Sequence, residues 1–176
     1  PSNITFINAY AFSGCSSLER VKLSEHLKHI YVNAFSGCSS LTSITIPDSV
    51  TGIGNKAFYG CSSLTRITIP TRTTKIERST FSGCSSLTNI TIPEGVTKIC
   101  GYAFDDCSGL ISVTVPKSVT SIDGYAFSGC NSLTSIIIPE SVTMIAYGTF
   151  ENCSNLEKVI INSTKEDVSE VLKKEE

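Results

Sequence analysis

The chain has 176 residues, with 14 basic and 16 acidic side chains, a formal charge of −2 and 40% hydrophobic residues. So even a charge balance argues against nucleic acid as a partner. No apolar run nears the ~20 residues of a membrane-spanning helix, and no charged segment followed by an apolar one opens the chain as a leader would.

From Cys15 onward a cysteine recurs every 23 residues, at Cys38, Cys61, Cys84, Cys107, Cys130 and Cys153. A fixed period of this length marks one supersecondary unit copied and stacked, each copy burying its apolar face on its neighbours. Residues 1–162 read as seven such repeats. The chain enters within a coil, with Ile4 in the column that later holds Val50 and Val96. No capping segment precedes it, so this edge is expected to carry further coils or another chain, with edge-to-edge self-association open to it.

Within the unit, the first apolar column is always leucine, from Leu18 and Leu41 to Leu156. Two mostly β-branched columns follow at period 2, such as Ile44 and Ile46 or Ile67 and Ile69, which favours a short strand over a helix. Pro47, Pro70, Pro93, Pro116 and Pro139 come next; proline has no amide hydrogen for a ladder, so each strand is expected to end there. A second apolar pair, Val50/Ile53 through Val142/Ile145, returns along the opposite side, and a phenylalanine column, Phe12 to Phe150, plugs the turn before the cysteine.

One coil is irregular: Thr73 replaces the valine, Thr80 replaces the alanine, and Arg66, Arg72, Lys75 and Arg78 gather within it. It reads as a solvated, less stable coil, since Thr73 carries a hydroxyl into an apolar column, or as a patch that could hold an anion. After Ile161 the repeat stops. Ser163 to Glu166 fits a capping box ahead of Val168, Val171 and Leu172, so residues 164–174 read as a short capping helix and 163–176 as the charged end of the chain.

The pattern Leu-x-x-Ile-x-Ile-Pro-x-Ser-Val-Thr-x-Ile-x-x-x-Ala-Phe-x-x-Cys, read from Leu41 to Cys61, resembles the BspA-like leucine-rich repeat, a bacterial and protozoan subclass. The resemblance implies a leucine-rich repeat solenoid, right-handed and mostly β, with a parallel sheet on the concave face and short strands and 3₁₀ turns on the convex one. It also implies an extracellular or cell-surface location. Several members of that family are regarded as adhesins, so the implied partner is a protein of the host matrix, of a host cell surface or of another microbe.

The residues themselves point to no enzyme, metal or cofactor. The Cys-Ser-Ser-Leu motif recurs as a turn and is not a nucleophile placed once by a base; His26 and His29 lie three apart in one irregular coil with no catalytic constellation of carboxylate and nucleophile, and no paired cysteine spacing suits a metal. In-register cysteines keep their Cβ atoms ~4.8 Å apart, too far for disulfides, so the column reads as small buried hydrophobes, with Cys100 as an accessible free thiol. Asn3, Asn89, Asn152 and Asn162 match glycosylation acceptors that matter only for a eukaryotic source.

A partner is expected on the outward face of the first strands. There the background is threonine and serine, and Ile137 and Ile160 depart from it as adjacent apolar side chains. With them go Lys158 and Arg66 in the neighbouring outward column, and a second candidate is the pair Tyr102 and Tyr125. The resulting expectation is a binding module of the adhesion type. Its rival is a structural spacer that displays another domain, favoured by the near-identical outward positions of most coils.

Overall fold

The computed structural model describes residues 3–162, and the helix expected over 164–174 lies outside them. Every repeat contributes two short strands facing each other across one core. The first strands are β2 (Arg20–Val21), β4 (Ser43–Ile44), β6 (Arg66–Ile67), β8 (Asn89–Thr91), β10 (Ser112–Thr114), β12 (Ser135–Pro139) and β14 (Lys158–Asn162). The second strands are β1 (Phe6–Ile7), β3 (His29–Ile30), β5 (Gly52–Ile53), β7 (Lys75–Ile76), β9 (Lys98–Ile99), β11 (Ser121–Ile122) and β13 (Met144–Ile145).

Pairing is parallel and places like on like: Ile44 beside Ile67, and Ile99 beside Ile122. Because strand side chains alternate between faces, the isoleucine and valine columns of both sheets point inward and in the central coils are buried with the leucine, phenylalanine and cysteine columns, while at the ends members such as Phe12, Cys15 and Ile145 are exposed. The strands stop short of Pro47, Pro70, Pro93 and Pro116, and β12 ends on Pro139 itself, which pairs with Asn162. No first strand with a proline continues past it, as expected; in β12 the proline is the last paired residue, because it lacks only the donor and its carbonyl remains.

The corner holding Phe35, Phe58, Phe81, Phe104 and Phe127 is a run of turns with i to i−3 hydrogen bonds, such as Ala103 N to Cys100 O at 3.2 Å. It is no continuous helix, because two columns per repeat are left-handed, among them Lys56, Tyr102 and Tyr125, and Gly60, Gly83 and Gly129. The phenylalanine rings stack along the solenoid, with centroids 5.5 Å apart for Phe35–Phe58 and 5.2 Å for Phe104–Phe127.

Neither sheet is continuous. The first divides into β2-β4-β6 and β8-β10-β12-β14, the second into β1-β3-β5 and β7-β9-β11-β13. Both breaks lie at one level, so two ladder blocks, β1–β6 and β7–β14, are joined through the chain only by residues 68–74. Bonds that recur elsewhere are missing at this seam. The Thr97 amide donates to Thr74 O and the Cys100 amide to Ile76 O, yet the equivalent amides of Thr74 and Glu77 make no such bond to Thr51 and Ile53.

The irregular inward residue at this level is Thr73, in the column of Val50, Val96 and Val119. It is 2% exposed, and its hydroxyl has no partner. Threonine matches valine in shape but leaves a polar atom in an apolar layer, which costs about 1–3 kcal/mol when unsatisfied. The phenylalanine corner nevertheless stays tied across the seam. Phe58 N donates to Thr80 O at 2.9 Å and Gly60 N to Ser82 O at 2.8 Å, while the ring spacing widens to 5.8 Å between Phe58 and Phe81.

Candidate interaction surface

The outward face of the first strands is a polar ladder. Thr45, Thr68, Thr91 and Thr114 form one exposed column. A second threonine rank, three residues earlier, includes Thr42 and Thr65. The Thr65 hydroxyl donates to Thr42 O at 3.2 Å, so this rank ties coil to coil.

Ile137 breaks the polar pattern. It is 54% exposed and pairs directly with the half-buried Ile160 of the neighbouring strand. Lys158 sits two residues before Ile160 on the same face and pairs with Ser135, so these three side chains form one patch on β12 and β14. Ile111, 53% exposed just before β10, adds a further apolar side chain that the sequence reading missed. Arg66 shares the outward column of Lys158 but lies on β6, four coils away, about 19 Å at the usual strand spacing; the structure does not bring it to the patch.

The cations of the irregular coil do not gather either. Arg66 projects from the outer face of the first sheet and Lys75 from that of the second, because Ile67 and Ile76 beside them point into the shared core. Arg72 is exposed between the two strands, and Arg78 lies at the phenylalanine corner with its guanidinium carbon 4.9 Å over the Tyr102 ring. The geometry does not favour the alternative of an anion patch, raised by their closeness in sequence: strand alternation and the two corners spread the four around the coil.

Tyr102 and Tyr125 do come together, with ring centroids 5.0 Å apart and an interplanar angle of 10°. Both have a left-handed backbone, φ 60°, an uncommon state for a bulky residue. Arg78 covers the free face of Tyr102, and Tyr147 meets Tyr125 edge-on at 5.7 Å. Gly148 makes room, since a Cβ there would stand 2.6 Å from the Tyr125 ring. The ring faces are therefore covered by one another and by Arg78, leaving edges and hydroxyls for a partner. Beside Arg78, where Ser79 and Ser82 are small, a depression of about 250 Å³ opens between Tyr59 and Asp105.

Every cysteine is a free thiol. The buried ones are more than hydrophobes: each Sγ donates to the carbonyl of the phenylalanine 26 residues earlier, as Cys61 does to Phe35 O at 3.2 Å and Cys107 to Phe81 O at 3.1 Å. Burial pushes the Cys61 thiol up to about 12. Cys100 is half-buried, 3.9 Å from Glu77 Oε2, and burial together with Glu77 and Asp123 raises its thiol above the ordinary range. That disfavours the thiolate that reactive cysteines need. His29 stacks on Phe6 at 5.8 Å and meets Tyr31 at 6.0 Å, an aromatic cluster on the second sheet that the sequence reading missed. Among the described residues, no group of three His, Cys, Asp or Glu is arranged to hold a metal.

The family model for the BspA type leucine rich repeat region matches in six copies, over residues 1–110 and 51–172. Comparison with curated proteins gives no match. Among solved structures, the chain is similar to a leucine-rich repeat protein of T. pallidum, with 33% identity, a TM-score of 0.81, and coverage of 89% of this chain and 75% of that one. A leucine-rich repeat protein of Eubacterium ventriosum shares 29% identity at a TM-score of 0.78, with coverage of 96% and 44%. A leucine rich cell surface protein of Faecalibacterium prausnitzii shares 34% identity at a TM-score of 0.62, with coverage of 84% and 33%. The chain thus spans three quarters of the first relative's length and less than half of the other two.

Proposed function

Because the chain belongs to the BspA-type leucine-rich repeat family, we propose that it is a non-enzymatic, extracellular protein-binding module of the adhesion type. Its contact face is the outer surface of the first strands. The observation that carries this reading is the Ile137–Ile160 pair: two apolar side chains in register, one of them more than half exposed, on a face otherwise mostly polar, built largely of threonine and serine. Apolar side chains clustered within a polar surround are the usual anchors of protein interfaces, and Lys158 supplies a charge at the rim. The relative from Faecalibacterium prausnitzii described as a cell surface protein supports the location.

The test is binding to a panel of extracellular matrix proteins and whole cells, run beside an Ile137→Asp, Ile160→Asp double variant whose fold is checked by circular dichroism. Saturable binding that the variant loses supports the reading. Binding that the variant retains moves the contact elsewhere, to Tyr102 and Tyr125 or the N-terminal end. No binding by either protein favours the spacer, which the uniform threonine ladders and the greater length of the relatives also suit.

A further inference from the structure

The seam has a particular geometry. Both sheets are open there, while both corners are closed: one by the backbone bonds from Lys56, Phe58 and Gly60 to Arg78, Thr80 and Ser82, the other by the covalent segment 68–74. A line through the two corners runs along the strand direction, between the sheets. We propose that this level is a built-in flexure, and that the two blocks rock about that line, one sheet closing as the other opens.

Three features coincide at this level. Thr73, in an inward column, leaves a buried hydroxyl without a partner, a state shared among the described residues only by the Ser141 hydroxyl in another coil. The second-sheet amides of Thr74 and Glu77 lack their bonds to the preceding coil. The threonine hydroxyl tie also fails here, since Thr51, Thr97, Thr120 and Thr143 each donate to the coil before, whereas Thr74 does not. The first sheet is thin at one other place, where β10 and β12 share a single pair, but there the second sheet is intact, with β9 and β11 paired at two positions.

Rocking changes the distance between Arg66 and Asn89, neighbours across the seam on the outer face of the first sheet. The curvature of that face would then adjust at one defined level while each block stays rigid, a hinge whose range the closed corners limit. A partner that grips both blocks would meet an adaptable surface; one confined to Ile137 and Ile160 would not feel the flexure.

Hydrogen exchange of the intact chain tests this. The amides of Thr74 and Glu77 are expected to exchange at least about tenfold faster than those of Thr97 and Cys100, and Thr73→Val to slow them toward the Thr97 and Cys100 rates. Relaxation-dispersion NMR is the second readout: β5, β6, β7 and β8 should share one microsecond-to-millisecond rate, because both sheets belong to one motion. Equal exchange at the two levels, no response to Thr73→Val, or separate rates for the two sheets would each overturn the proposal.

Discussion

The coil that holds Val96 and the coil that holds Thr73 follow the same template, yet one continues both ladders and the other interrupts them. In the first, Val96 is fully buried, and the Thr97 and Cys100 amides bond to Thr74 and Ile76. In the second, Thr73 is equally buried but its hydroxyl is unmet, and the equivalent amides are unbonded to the coil before. The difference teaches that the inward columns set the ladder as much as the ladder sets the columns. A single polar atom in an apolar layer is of the same order as the net worth of one or two backbone bonds, so it can decide whether neighbouring coils close.

The comparison can be broken most forcefully at the phenylalanine column. Phe104→Ala is expected to cost about 3–5 kcal/mol, since its ring is fully buried between stacked neighbours. Phe81→Ala should fall toward the lower end of that range, because its ring already stands 5.8 Å from Phe58. Denaturant melts that ranked the two the other way would contradict the looser packing at the seam. Next in size, Val96→Thr should destabilise by about 1–3 kcal/mol by placing the same unsatisfied hydroxyl in the regular coil. Thr73→Val should stabilise by about 1 kcal/mol and raise Tm; an unchanged or lower Tm would mean that the hydroxyl finds a partner after all.

The smallest effect sharpens the role of the cysteine column. The Cys61 thiol stands near 12 in the folded chain against an ordinary value of 9.0. The unfolded chain therefore loses that proton first as pH rises, and stability should fall above pH 9.0. The slope of Tm against pH between about 9 and 11 reports the protons released on unfolding, and Cys61→Ala should make it shallower. An unchanged slope would show that the thiol is no more protonated in the fold than in the unfolded chain.

The inward columns were legible in the sequence because a 23-residue period fixes which positions stack, and Leu87, Ile90, Phe104 and Cys107 are all buried as that pattern requires. The position of Thr73 in an apolar column was equally legible. That both sheets part there was not, because bonds between coils join residues 23 apart and depend on how closely two layers settle. The spread of Arg66, Lys75 and Arg78 was lost for a similar reason: nearness along the chain says nothing about which side of a coil a residue leaves from. Tyr102 and Tyr125 were found by their shared column. Arg78 and Tyr147, which complete that stack, belong to a different column and reach it only through the left-handed backbone of the corner. Ile137 and Ile160 stood out because a regular background makes a departure visible, whereas Ile111 escaped because it lies just outside the strand.

The most direct test exchanges the two residues that differ, in a Thr73→Val, Val96→Thr double variant followed by hydrogen exchange. If the inward side chain decides where the ladders open, the fast-exchanging level moves from Thr74 and Glu77 to Thr97 and Cys100. Fast exchange that stayed at Thr74 and Glu77 would contradict the account and assign the seam to the outward residues of that coil.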